Sequence, residues 1–321
     1  MMPNNANVLV FGGAGFIGEH LLKSLKQRGT GQLTSVDIKD PLHPVEGVNY
    51  LKGDVRDLSA FSSNIRIDII YNLAAIHTTP GYEEHEYYET NILGAEEINA
   101  FARRHNIEQI VFTSSISVYG PGEETKSESS RLSPSSAYGW SKYLAERIHK
   151  GWFEESETRK LVIVRPAVVF GPNEGGNFTR MAKLLKKGFF VYPGRDDTIK
   201  ACFYVEDLIE AIDSAFADEQ RLVIFNGCYP DRYTIKQIVY AFRQASFPKI
   251  KELMVPSWIV KMVAKALKPL SFLGLGIHPD RVTKLTRSTD IEPGWLLSKG
   301  LAKSRRLPEA LMLWAKQNNY N

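Results

Sequence analysis

The segment Val10 to His20, VFGGAGFIGEH, places glycines at 12, 13, 15 and 18 between an apolar run, NVLVF, and a helix-forming stretch, LLKSLKQR. Few folds use so many permissive residues there, because each glycine adds about 0.5–1 kcal/mol of conformational cost to a regular element. The spacing fits a strand that turns tightly into a helix. Gly12 makes the turn, Gly15 lets the backbone approach a pyrophosphate, and Gly18 lets the helix pack on the sheet. Gly12, Gly15, Phe16, Ile17 and Gly18 are then candidate phosphate contacts, since the first amides of a helix and its positive dipole end favour anions. A ligand-free strand-to-helix turn would use the same residues, so the other strand ends must decide.

Strand-like runs recur at LTSVD, VNYLKG, IDIIYN, QIVFT and KLVIV, with LVIFN as a later addition. Helical periods near Ile17 to Gln27, Tyr87 to His105 and Tyr138 to Glu155 alternate with them. That alternation predicts an α/β fold, a Rossmann-type doubly wound parallel sheet built of right-handed crossovers. Residues 1–170 form the expected dinucleotide-binding domain, with returns near 197–245. Irregular, loop-rich residues 171–196 and 246–321 read as a smaller, partly interleaved C-terminal substrate domain.

Ligands of such sheets bind at the carboxyl ends of the strands. Asp37 ends the second strand 19 residues after Gly18. A carboxylate there accepts hydrogen bonds from ribose hydroxyls and repels a 2′-phosphate, which favours NAD over NADP, although Lys39 softens the preference; a turn aspartate is the plainer alternative. Asp54 and Val55, in LKGDVRD, are placed to meet the adenine, and NLAA ends the fourth strand with Leu73, Ala74 and Ala75, small enough to let the cofactor lie close.

A chemical group follows. Ser115 lies in TSSISVYG after the fifth strand, and AYGWSK sets Tyr138 and Lys142 four apart on one helix face. A phenol titrates near 10 and needs a nearby cation to serve as a base at neutral pH. Lys142 supplies that charge, and Ser115 can hold the substrate oxygen.

With GGAGFIG, Asp37, GDV, NLAA, SSISVYG and YGWSK together, the chain resembles the extended short-chain dehydrogenase/reductase family, in its NAD-dependent epimerase/dehydratase branch. The resemblance runs from Val8 to about Asp207. It implies that Tyr138 removes a hydroxyl proton while hydride passes to NAD, and that Lys142 also holds the nicotinamide ribose. It also implies that Asn91, Ser114 and Pro166 lie near the nicotinamide. Nucleotide-sugar epimerases of this kind pass through a transient keto-sugar and work as homodimers. Three departures bear on the substrate. Ile116 and Ser117 stand where dehydratases resembling TDEVYG carry an Asp-Glu pair, which disfavours dehydration. Val168 replaces the asparagine of galactose-type epimerases, and Lys200 stands where their diphosphate arginine is expected.

The substrate side is accordingly read from fewer signals. Asn177 opens a helix in NFTRM, and Arg281 resembles a late diphosphate-binding arginine; a helix cap and a surface arginine are the alternatives. His77 is either a pocket acid/base or a packing residue. The balance of charge points to an anionic small molecule: residues 246–321 carry 13 Lys and Arg against 5 Asp and Glu, a balance of +8 within a whole-chain net of +4. Nothing calls for nucleic acid. Cys202 and Cys228 form no metal or disulfide pattern. No apolar run reaches the roughly 18 residues of a membrane span, so a cytoplasmic protein without an integral membrane segment is expected. Residues 255–277 have the pattern of a basic amphipathic helix, which suits core packing or, alternatively, an anionic membrane surface. The expected reaction is NAD-dependent epimerisation of a nucleotide-diphosphate sugar. A reductase or dehydrogenase of the same fold is the alternative, and a non-catalytic dinucleotide sensor the one from another class.

Overall fold

The computed structural model describes residues 5–78, 81–256, 258–259, 262 and 287–320. In chain order its strands are β1 (Val8–Phe11), β2 (Leu33–Asp37), β3 (Val48–Lys52), β4 (Ile69–Asn72), β5 (Gln109–Thr113), β6 (Gly122–Lys126), β7 (Lys160–Pro166), β8 (Val168–Phe170), β9 (Phe189–Pro193), β10 (Cys202–Tyr204), β11 (Leu222–Gly227), β12 (Lys251–Val255) and β13 (Thr289–Ile291). Seven of them form one parallel sheet in the order β11-β7-β5-β4-β1-β2-β3. The order reverses at β1, whose neighbours are β2 and β4, and a doubly wound sheet opens its crevice at that point. All seven strands expected from the sequence are present.

The helices are α1 (Phe16–Gln27), α2 (Glu84–Tyr88), α3 (Gly94–Arg104), α4 (Ala137–Glu154), α5 (Asn177–Lys186), α6 (Val205–Ala217), α7 (Ile235–Ala245), α8 (Gly294–Ser298) and α9 (Leu307–Asn318). They cover both faces of the sheet, as the alternation of β1 shows. Val8 and Val10 join the core under α1 and α6, whereas Leu9 and Phe11 join the core under α3 and α4. Strands buried on both sides explain why the sequence reads as continuous apolar runs. Among the described residues no helix is long and apolar enough to cross a membrane.

One expected helix is interrupted. Residues 87–105 break into α2, a π-helical turn at Glu89–Leu93, and α3. Such turns insert a residue into the helical ladder and often mark functional positions. Here the turn carries Asn91 into the interior, where it is 4% exposed. Periodicity alone does not reveal this, because the apolar spacing on either side stays helical.

The glycine turn is as constrained as its sequence suggests. Gly12 has φ +81°, and a Cβ on it would lie 2.6 Å from the amide nitrogen of Ala74. A Cβ on Gly18 would lie 2.6 Å from the carbonyl oxygen of Gly12. Gly18→Ala is therefore expected to destabilise the fold by about 1–3 kcal/mol through backbone overpacking, and to lower the dinucleotide retained on purification. Urea denaturation and chromatography of the released cofactor would check this.

Candidate active site

Helix α1 begins at Phe16 with Gly15 as its N-cap and no side-chain cap. Gly15 is exposed, and a Cβ there would come within 3.3 Å of the Gly12 carbonyl. The first turn thus presents uncapped amides beside a cradle that a side chain would fill. At its rim the Asp37 carboxylate accepts the amides of Ala14 and Lys39, each at 3.1 Å. Leu73, Ala74 and Ala75 leave β4 alongside Gly12, with the Leu73 amide bonded to the Phe11 carbonyl at 2.9 Å. These features fit a dinucleotide: a cradle for the diphosphate, a carboxylate at the second strand end, and a small-residue floor. Val55 is buried against Gly94. The Asp54 carboxylate is held by the guanidinium and amide of Arg56, which keeps it below the ordinary carboxylate range.

The chemical group assembles at the carboxyl end of β5. Ser115 caps a 3-10 turn, its Oγ accepting the Ser117 amide at 3.1 Å. Helix α4 starts against that turn. Ser136 caps it by accepting the Gly139 amide at 3.1 Å, and a Cβ on Gly139 would lie 2.7 Å from the Ser117 carbonyl. The glycine beside Tyr138 is what allows this approach, which brings the start of α4 against the Ser115 turn. Burial raises the Tyr138 phenol above its usual range, and the Ser115 hydroxyl opposes the rise. The Tyr87 ring lies 6.3 Å from that of Tyr138, and its hydroxyl donates to the Thr78 carbonyl at 2.5 Å.

Lys142 is 2% exposed, with Nζ 4.5 Å from the centroid of the Phe112 ring. Burial pushes its pKa down to about 7, against the attraction of Glu146. The consequence for stability has a definite sign. A lysine depressed from about 10.5 to about 7 destabilises the folded state most below pH 7, and the loss is relieved as pH rises from about 7 to 10.5. Lys142→Met is expected to stabilise the cofactor-free protein at pH 7 and to lose this pH dependence, while reducing turnover. Urea midpoints of both proteins at pH 7 and 9.5 would check it: a gap between them that does not narrow at the higher pH contradicts the assignment.

Several residues near the centre are bonded to other parts of the chain. Asn91 brackets Ile76, accepting its amide at 3.0 Å and donating to its carbonyl at 3.2 Å, and donates to Ser141 at 2.8 Å. It therefore ties the loop after β4 to α4. Ser114 donates to Glu146 at 2.5 Å. Glu146 is 1% exposed and pairs with buried Arg165 through bonds of 2.9 and 2.7 Å. Arg165 continues to the Tyr119 hydroxyl at 2.8 Å, and Tyr119 to Asn226 at 2.8 Å. His149 lies between Asn72 at 3.0 Å and Asn99 at 2.8 Å; burial first, then Lys142, lowers its pKa to about 3, so it stays neutral. Glu146, Arg165, Tyr119, Asn226 and His149 were not anticipated from the sequence. Charges and a histidine on an amphipathic helix look like a solvated face until the sheet is assembled against them.

Pro166 ends β7 opposite Gly227, at the same edge of the sheet as Ser115. His77 lies on the loop after β4, where burial first, and then the charge of Lys142, lowers its pKa. Asn177 is exposed at the start of α5, but the α5 amides are already engaged: Glu174 accepts those of Phe178 at 3.3 Å and Thr179 at 2.8 Å. An anion there would have to displace a carboxylate. Lys200 donates to the Arg287 carbonyl beside β13, and burial pushes its pKa down to about 8. Arg281 lies outside the described residues.

Comparison with known proteins agrees with this geometry. The chain is 29% identical over 285 residues to the N-acetyl-alpha-D-glucosaminyl-diphospho-ditrans,octacis-undecaprenol 4-epimerase of Escherichia coli O157:H7, covering 88% of this chain and 81% of that relative. It is 25% identical to UDP-glucose 4-epimerase 3 of Oryza sativa subsp. japonica, covering 98% and 91%. Its fold matches the UDP-glucose 4-epimerase of Thermotoga maritima solved with UDP-glucose, at a TM-score of 0.76, 20% identity and 97% coverage of each chain. It also matches the Thermus thermophilus UDP-glucose 4-epimerase solved with NAD, at a TM-score of 0.73, 21% identity and 98% of each chain. Residues 8–226, more than half of the chain, match the model of the NAD dependent epimerase/dehydratase family. With the glycine cradle, the Asp37 strand end and the Ser115, Tyr138 and Lys142 cluster in one crevice, this chain belongs to the NAD dependent epimerase/dehydratase family.

Proposed function

We propose that the protein catalyses NAD-dependent epimerisation of a nucleotide-diphosphate sugar, at C4 of the sugar. The observation that carries the reading is Tyr138, which senses Ser115 and lies one helical turn from buried Lys142 on α4, with the uncapped glycine turn at the carboxyl end of the same parallel sheet. Gly12, Gly15, Phe16, Ile17, Gly18 and Asp37 hold the dinucleotide, with Leu73, Ala74, Ala75 and Pro166 shaping its bed. Bound NAD supplies a hydride acceptor and donor for the sugar carbon. Ser115 orients the sugar hydroxyl, Tyr138 takes its proton and returns it, and Lys142 lends the positive charge that favours the phenolate. Residues 171–196 and 246–321 form the wall that selects the substrate, with His77, Asn177, Lys200 and Arg281 as its candidate contacts.

Incubating the purified protein with UDP-, GDP- and dTDP-sugars without added cofactor tests this. Appearance of an epimer by NMR supports it, and turnover only with added NAD or NADPH would make the protein a dehydrogenase or reductase instead. A second reading replaces the nucleotide by a lipid. It is favoured by the name and the 88% coverage of the Escherichia coli relative, and by the absence of the diphosphate arginine at Lys200.

The same reading makes the protein a cytoplasmic homodimer. Exposed Trp140 and Leu144 lie one turn apart on α4, with exposed Leu93 on the turn before α3. Light scattering is expected to give twice the 36.2 kDa chain mass, and Trp140→Glu/Leu144→Glu to give the single mass. Cys202 and Cys228 are both buried and free, as suits a reducing compartment.

A further inference from the structure

Strands β9 and β12 pair in parallel, apart from the main sheet. Side chains opposite one another in a parallel pair share a face. Phe190 and Tyr192 turn inward and are buried, and Glu252, opposite Phe190, is occupied by the Tyr192 hydroxyl and Arg243. The other face holds Phe189 opposite Lys251 and Val191 opposite Leu253. Phe189 is 42% exposed, Val191 39% and Leu253 56%. The chain leaves this ribbon through Pro256 to Trp258 and Met262, which are 60% and 56% exposed.

The charge around this apolar face has one dominant sign. Lys183, Lys186 and Lys187 are exposed just before β9, and Lys249 and Lys251 are exposed at the start of β12. The acidic residue of β12, Glu252, is already paired. Exposed apolar side chains ringed by lysines match the two-part requirement of a peripheral membrane site: burial at the headgroup boundary and attraction to anionic lipid. A second copy of the same face would bring like charge against like, which disfavours self-association through it.

We infer that the β9–β12 ribbon, with Trp258 and Met262, docks on an anionic phospholipid bilayer. Helix α5 runs directly from Asn177 to this ribbon, and ten helical residues span about 15 Å. The inference goes beyond the epimerase reading and stands on the ribbon alone. Its consequence for that reading is a diphosphate sugar carried on a lipid and taken at the membrane surface.

The test is co-sedimentation of the full chain with sucrose-loaded vesicles of phosphatidylcholine, alone or with one-third phosphatidylglycerol. Bound protein should be about tenfold higher on the anionic vesicles and fall steeply at high salt. Phe189→Ser/Leu253→Ser should lower binding by about fivefold or more, with retained dinucleotide and thermal midpoint unchanged. Failure of the full chain to sediment with anionic vesicles, or unchanged binding by the variant, overturns the proposal. So does a shift of the variant to smaller mass in light scattering, which would make the face a contact between copies. Turnover of soluble nucleotide sugars is measured on the same preparation. Vesicle binding without turnover of soluble nucleotide sugars overturns the nucleotide-sugar reading alone and leaves the lipid-linked one, and epimerisation without vesicle binding overturns the docking alone.

Discussion

Tyr138→Phe should reduce turnover by about 10²–10⁴-fold, the usual contribution of a positioned acid/base, while leaving bound dinucleotide and stability close to those of the parent. The variant removes only the phenolic oxygen from a ring that already packs near Tyr87 and stands over the turn capped by Ser115. Its loss should therefore appear in kcat and not in cofactor content. Ser115→Ala is expected to fall between the two, because the phenol remains but its partner and the substrate's hydrogen bond are gone. If Tyr138→Phe kept full turnover, the proton would have to leave through another group, with His77 on the loop after β4 as the candidate.

The second large effect is structural and reaches the chemistry from behind. Arg165→Met should destabilise the protein by about 3–5 kcal/mol, since it leaves the Glu146 carboxylate buried with its cation removed. Glu146 sits one turn after Lys142 on α4, is bound by Ser114 next to Ser115, and is nearly inaccessible to water. Removing its partner disturbs the end of β5 and the first half of α4 together. Replacing both members, as in Glu146→Met/Arg165→Met, should recover much of the stability, because the penalty is that of an unpaired charge rather than of lost volume. Urea denaturation of the three proteins gives the comparison. A double variant no more stable than Arg165→Met would mean that the pair contributes through geometry that apolar side chains cannot replace.

The sheet was legible because its strands are buried on both faces, so β1, β4, β5 and β7 read as uninterrupted apolar runs with clear ends. The ligand side was legible because the chemistry demands particular residues at particular strand ends: glycines where a Cβ would strike Ala74 or Gly12, Asp37 after β2, Tyr138 and Lys142 one turn apart. What could not be read depends on contacts between elements far apart in sequence. Glu146 and Arg165 are ordinary charges until β7 is placed beside α4. Asn91 also braces Ile76 against Ser141, a role that could not be read because the π-helical turn that swings it inward has no periodic signature. Asn177 looked like the head of an open helix, yet Glu174, three residues earlier, already occupies the amides. The pattern at 255–277 lies outside the described residues apart from Val255, Pro256, Trp258, Ile259 and Met262. Of these, Trp258 and Met262 are exposed, unlike the core-facing residues the helical pattern suggested.

The central claim is that one tightly held NAD is used and regenerated within each cycle, and labelling at the reacting carbon tests it most directly. A nucleotide sugar deuterated at C4 should be epimerised without added cofactor, over many turnovers per bound NAD, with the deuterium retained at C4 of the product. Loss of the label to solvent, or turnover that stops after one equivalent until fresh cofactor is added, would contradict it.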